Sequence, residues 1–177
     1  MLTTTAAILL LQSTAAQGST PVPAPAPTRC DTEEYAAFDF WVGEWDVYPT
    51  GGENQVSESR IERLYNGCAI RENWKPRSGA TGGSLSGYDP ATGRWHQTWI
   101  GSAPGIVRFD GGPADGKMVL TGFWRGVGGP GVDGLIRMTY TPNEDGSVRQ
   151  HGEISTDHGL NWANAFDFTY RPKKDSE

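Results

Sequence analysis

Glu72 is the residue whose surroundings in this sequence best suit chemistry. It alternates with Ile70 and Trp74 along a predicted strand, and alternate side chains of a strand share one face. A carboxylate beside an indole ring in a dry cavity has a raised pKa, so Glu72 could act as a general acid or base. Because buried charges are normally paired, we favour instead an ion pair with Arg137 or a role in orienting a ligand.

The ion pair can form only if Arg137 faces the interior of the barrel. If the odd-numbered residues of 135–139 face inward, Arg137 is available to Glu72. If the even-numbered residues of 136–140 face inward, Arg137 lies outside.

Gln97 falls between Trp95 and Trp99 on one face of another predicted strand. Two indole rings could sandwich a planar ligand while the amide bonds to it. The alternative is a core amide bonded to neighbouring strands, because buried amides need partners. With Gln150 and Glu153 completing the polar set, the predicted ligand-binding residues are Glu72, Trp74, Trp95, Gln97, Trp99, Arg137, Gln150 and Phe166.

The remaining motifs favour structure over catalysis. We expect no metal site, because no carboxylate–His cluster has ligand spacing, and His96, His151 and His158 have no clear catalytic partners. Residues 155–162 resemble the Asp-box of sialidase propellers. A propeller needs several copies, so this single copy predicts a hairpin turn capped by Asp157.

Short segments in which apolar and polar residues alternate, separated by Gly, Asn, Asp and Pro, predict the strands that position these residues. We place strands at about 44–49, 54–64, 68–75, 81–89, 94–101, 105–110, 117–124, 134–142, 147–155 and 162–171. A short helix is expected around residues 31–38. The predicted fold class is all-β, an antiparallel barrel of roughly ten strands, since closure removes exposed edges. The Gly-rich segments 101–105 and 124–134 are expected to form loops at its mouth.

The N-terminal segment predicts export. Residues 1–18 contain a short apolar run followed by small residues and resemble a signal peptide. Residues 19–29 form a Pro/Ala-rich linker, residues 30–172 the barrel domain, and residues 173–177 a polar tail. We expect a periplasmic or secreted protein without a transmembrane segment, since the apolar run is shorter than the roughly 20 residues that a span requires.

Charge and cysteine content limit the classes of protein further. The 177-residue chain has a formal net charge of −6, which argues against nucleic-acid binding. Cys30 and Cys68 are its two cysteines, and in an exported chain an even number suggests a disulfide. Two free buried thiols are the alternative.

Several motifs resemble a family of small, often exported bacterial proteins. They are FDFWVGEWDV at residues 38–47, NGCAIRENW at 66–74, RWHQTW at 94–99 and GSVRQ at 146–150. That family is labelled a domain of unknown function, so the resemblance implies no activity.

More remotely, Gly43-Glu44-Trp45 resembles the Gly-x-Trp opening of calycin barrels, such as lipocalins and nitrobindin-like haem proteins. This resemblance implies a barrel with a central small-molecule cavity, in which Trp45 closes one end and packs on an Arg of the last strand, here Arg171. A haem would need an inward His, and we expect His96 and His151 to face outward, so no cofactor is predicted.

The sequence therefore predicts a barrel that binds a small, mostly apolar molecule. The first alternative is an isomerase, hydratase or cyclase that uses Glu72 as its acid or base. The second is a structural envelope protein whose core is filled by its own side chains. Pockets that bind small molecules are mainly apolar with a few convergent polar groups, which favours the binding protein.

Overall fold

Ten antiparallel strands form a closed barrel in the computed structural model, which describes residues 29–174. Each strand pairs with its neighbours in sequence, and the first pairs with the last to close the barrel. This confirms the predicted fold class. The predicted signal peptide, nearly all of the linker and the end of the tail lie outside the described residues.

The elements follow one another with short connections. They are the helix α1 (Glu33–Ala36), a 3₁₀ turn (Asp39–Trp41), β1 (Gly43–Pro49), β2 (Ser57–Leu64), a second 3₁₀ turn (Tyr65–Gly67), β3 (Ala69–Pro76), β4 (Gly82–Asp89), β5 (Arg94–Gly101), β6 (Ile106–Ala114), β7 (Lys117–Trp124), β8 (Gly134–Pro142), β9 (Val148–Ser155) and β10 (Ala163–Pro172).

Strand β6 is longer than predicted, because residues 111–114 continue the strand. A Cβ on Gly111 would lie 2.0 Å from the Val119 carbonyl oxygen, so this glycine permits close approach to β7. The chain turns at Asp115 and Gly116, which both have positive φ angles.

A bulge in β10 changes which side chains face the interior. Asn164 pairs with Glu153 and Phe166 pairs with Gly152, so Ala165 is an extra residue in the ladder. Uniform alternation would place Asn164 on the same face as Phe166, which is wrong. Asn164 is exposed and accepts a hydrogen bond from His151.

Residues 30–42, here called the N-terminal plug, close one end of the barrel. Phe38 and Trp41 are fully buried and stack with ring centroids 4.9 Å apart. The predicted disulfide between Cys30 and Cys68 is present and ties the plug to the β2–β3 connection. We call this the plugged end of the barrel.

Trp45 faces the interior at the plugged end, but its predicted partner Arg171 lies on the outer face of the barrel. Its indole N–H donates to the Trp41 carbonyl at 2.9 Å. Arg171 is paired with Asp46, the outward neighbour of Trp45, and its guanidinium therefore lies outside, over the Tyr48 ring.

Candidate ligand-binding site

A cavity of about 130 Å³ lies inside the barrel on the side away from the plug. Eight of its twelve lining residues are aromatic: Trp74, Trp99, Phe109, Trp124, Tyr140, Phe166, Phe168 and Tyr170. The other four are Glu72, Gln97, Met138 and Gln150. The cavity is therefore an aromatic chamber with a few polar groups.

The strand directions place the mouth and the floor of this cavity. Trp74, Trp99 and Trp124 lie at the ends of β3, β5 and β7 that point away from the plug, and all three are partly exposed. We call this the open end of the barrel. The segments 101–105 and 124–134, predicted to form loops at a barrel mouth, contain the β5–β6 and β7–β8 connections, which are at this end.

Glu72 forms part of the cavity floor and is 5% exposed. Ser84, on β4, donates a hydrogen bond of 3.0 Å to its carboxylate, and Ser59, on β2, donates one of 3.3 Å. The Tyr170 hydroxyl lies 3.4 Å away on β10. Three hydroxyls from three strands therefore surround the carboxylate.

A second polar chain continues from Tyr170 across the floor. The Tyr170 hydroxyl donates to Gln150 Oε1 at 2.7 Å, and Gln150 Nε2 donates to the Tyr140 hydroxyl at 3.0 Å. Gln97 Nε2 donates to Ser86 at 3.0 Å. These side chains are fixed by one another, so the floor presents groups with defined positions.

Burial controls the protonation of these groups. It raises the pKa of Glu72 to about 7, although hydrogen bonds from Ser84, Ser59 and Tyr170 partly oppose that rise. Burial, followed by the nearby Glu72 charge, raises the pKa values of Tyr140 and Tyr170 above the ordinary tyrosine value. Near neutral pH, Glu72 is the floor group that can gain or lose a proton.

The expected ion pair between Glu72 and Arg137 does not form. Ile136, Met138 and Tyr140 face inward on β8, so Arg137 is on the outer surface. There its guanidinium donates to Glu153 at 2.9–3.0 Å and lies over the Trp162 ring. Arg137 and Glu153 therefore do not line the cavity.

Trp95 does not line this cavity either. Its ring packs edge-on against Phe38, and its indole N–H donates to the Glu34 carbonyl at 3.1 Å. Trp95 shares a face with Gln97 and Trp99, as predicted. It lies nearer the plugged end of β5, however, and alternation cannot distinguish positions along a face.

Six of the eight predicted residues line one cavity: Glu72, Trp74, Gln97, Trp99, Gln150 and Phe166. The sequence argument did not select the floor tyrosines, Tyr140 and Tyr170. Both occupy inward positions of their strands, so alternation was a usable signal. They lie close to Glu72 because barrel closure brings β3, β8 and β10 around one interior, and no local sequence pattern predicts this proximity.

The histidines and the predicted turn lie outside the cavity. His96 bonds to Asp110 and His151 bonds to Asn164, both on the outer surface. In residues 155–162, Asp157 accepts the Asn161 N–H at 2.9 Å, as a capped turn requires. Within residues 29–174, His, Cys, Asp and Glu side chains form no group of three or more that could hold a metal ion.

Comparison with known proteins adds no assignment: no family model matches this chain, and no curated protein matches it. The closed antiparallel barrel is compatible with a calycin-like barrel. None of the helices in the described part of the chain is long and apolar enough to cross a membrane.

Proposed function

We propose that this protein binds a small, mostly apolar molecule inside a calycin-like barrel, in the periplasm or outside the cell. The observation that carries the proposal is the cavity itself, with aromatic walls at its mouth and a fixed polar floor. Known ligand pockets combine these two features. The Cys30–Cys68 disulfide supports the location, because disulfides persist in oxidising compartments.

The volume of the cavity limits the size of the ligand. Its volume of about 130 Å³ is close to that of an engineered cavity of about 150 Å³ that holds benzene. Drug-sized ligands occupy pockets of roughly 300–1,000 Å³. We therefore expect a ligand with about one ring or a short branched chain.

An enzyme that uses Glu72 as its acid or base is the second candidate. A general acid or base works best with a pKa near the working pH, and burial raises the pKa of Glu72 to about 7. A barrel with a filled core is less well supported, because the interior retains space beside Glu72.

Replacement of a wall residue tests the binding proposal. We expect benzene-sized aromatic molecules to change the tryptophan fluorescence of the wild type, and Trp99→Ala to weaken their affinity about tenfold through loss of aromatic contact. Trp162→Ala is the matched control, since that ring lies outside under Arg137. Equal affinity in wild type and Trp99→Ala would remove Trp99 from the site.

Native mass spectrometry of the protein purified from its source tests whether it carries a ligand. A mass excess that disappears on denaturation would give the mass of a bound molecule. Conversion of the recovered molecule by the wild type, but not by Glu72→Gln, would establish the enzyme instead.

A further inference from the structure

Among residues 29–174, no cationic side chain pairs with the buried Glu72 carboxylate. The ion pairs among residues 29–174 involve other carboxylates, each with a side chain at least 21% exposed. Glu72 faces the hydroxyls of Ser59, Ser84 and Tyr170 instead. Hydroxyl dipoles offset the cost of burying an ionised carboxylate only in part, because a buried charge normally requires an opposite charge.

The Tyr170 hydroxyl cannot fully compensate Glu72 either. It has one proton and two acceptors, Gln150 Oε1 at 2.7 Å and Glu72 Oε1 at 3.4 Å. The shorter bond takes the proton. Within the described part of the chain, Glu72 Oε1 then keeps only the 3.3 Å bond from Ser59, so this oxygen can accept a further donor from the cavity.

The walls of the cavity suit a positive charge. Trp74, Trp99 and Trp124 surround the mouth, and Phe166 and Phe168 stack beside it with centroids 5.1 Å apart. Aromatic faces are electron-rich and attract ammonium groups, most strongly for Trp. A carboxylate floor below aromatic walls is complementary to a molecule that is both apolar and cationic.

We propose that the cavity binds a small organic ammonium ion, whose positive nitrogen is held near Glu72 while its hydrocarbon groups lie against the aromatic walls. This inference rests on the proposed function and specifies its ligand class. The volume of about 130 Å³ admits an amine with one ring or a trimethylammonium group.

Pairs of probes with the same shape and different charge test this inference. Choline and 3,3-dimethylbutan-1-ol differ only in a quaternary nitrogen against a quaternary carbon, and benzylamine and benzyl alcohol form a second pair. We expect calorimetry at pH 8.5 to show at least tenfold tighter binding of the cation in at least one pair.

Two Glu→Gln variants test whether the Glu72 carboxylate is the group that binds the cation. Glu72→Gln keeps the size of the side chain and one acceptor oxygen but removes the charge, so we expect a loss of at least tenfold in cation affinity and an unchanged affinity for the neutral partner. Glu153→Gln removes a surface carboxylate that faces Arg137. It should leave both affinities unchanged.

The pH dependence gives an independent readout. Cation affinity should rise between pH 5.5 and pH 8.5, because Glu72 must be ionised to pair with the ligand. Among residues 29–174, the other titratable groups facing Glu72 are Tyr140 and Tyr170, whose raised pKa values keep them neutral in this range. Glu72→Gln should abolish the rise.

The outcomes separate this inference from the proposed function. If neither cation binds at least tenfold more tightly than its neutral partner although a neutral or benzene-sized molecule binds, or if Glu72→Gln keeps full cation affinity, the ammonium inference is overturned and the binding function stands. If no member of either pair and no benzene-sized molecule binds, both are overturned.

Discussion

Protonation of Glu72 couples the cavity to the stability of the whole protein. The carboxyl has an ordinary pKa of 4.5, which burial raises to about 7 in the folded state. Between these two pH values, the folded state holds a proton that the unfolded state has released. The contribution of Glu72 to stability is therefore greatest below pH 4.5 and is lost as the pH rises through 7.

Glu72→Gln should remove this pH dependence. The difference between 4.5 and about 7 corresponds to about 3 kcal/mol of unfolding free energy. We expect urea denaturation to give similar stabilities for variant and wild type at pH 4. At pH 8.5 the variant should be more stable by up to about 3 kcal/mol.

Because the other carboxylates titrate in both proteins, their contributions to the unfolding free energy cancel when the variant is compared with the wild type at each pH. Glu153→Gln, on the outer surface, serves as the control and should show no such increase. A difference between Glu72→Gln and wild type that stays constant from pH 4 to pH 8.5 would contradict the raised pKa.

Alternation along a strand predicted part of the site correctly at the level of single residues. It placed Glu72 and Gln97 on inward faces, where both are buried. It left the orientation of Arg137 open, because either face of β8 carries apolar residues. It also selected Trp95, since a shared face says nothing of distance from the plug.

At the scale of the element, strand β10 brings three aromatic rings into the cavity by regular alternation, and one bulge turns Asn164 outward. Phe166, Phe168 and Tyr170 face inward, whereas Asn164 faces out because of the bulge at Ala165. A bulge of this kind is hard to predict, because alanine there has no distinctive chemistry. Apart from the start of β2 and the end of β6, the strand bounds were predictable, since Gly, Asn and Asp mark the turns.

Gly152 on β9 provides the space that the Phe166 ring occupies. A Cβ on Gly152 would lie 2.4 Å from Phe166 Cζ, so Gly152→Ala should push this ring out of its place and into the cavity. We expect a destabilisation of about 1–3 kcal/mol from overpacking and at least a tenfold loss of ligand affinity.

Gly112→Ala is the matched control for this change. A Cβ on Gly112 would meet no atom within 4 Å, and its backbone lies outside the left-handed region. Urea denaturation and fluorescence titration of both variants separate the specific effect from that of an added methyl group. Full ligand affinity in Gly152→Ala would show that Phe166 does not limit the cavity.

At the scale of the whole molecule, the two ends of the barrel have different roles. The plug seals one end with Phe38 and Trp41, while the tryptophans of the mouth surround the other. Tyr140 lies between the two regions, because its ring contacts Phe38 and Trp41 and its hydroxyl belongs to the floor. Ten sequential strands predicted closure, but not which end the N-terminal residues would cover.

The disulfide acts at the plugged end, so its removal should affect stability and leave binding intact. It closes a loop with a sequence separation of 38, and a loop of that length implies roughly 3–4 kcal/mol of stabilisation. We expect the double variant Cys30→Ser/Cys68→Ser to lose about this amount in urea denaturation. Its ligand affinity at low temperature, where it remains folded, should equal that of the oxidised wild type. A clear loss of affinity would instead show that the covalent tie holds Tyr140, and with it the cavity floor, in place.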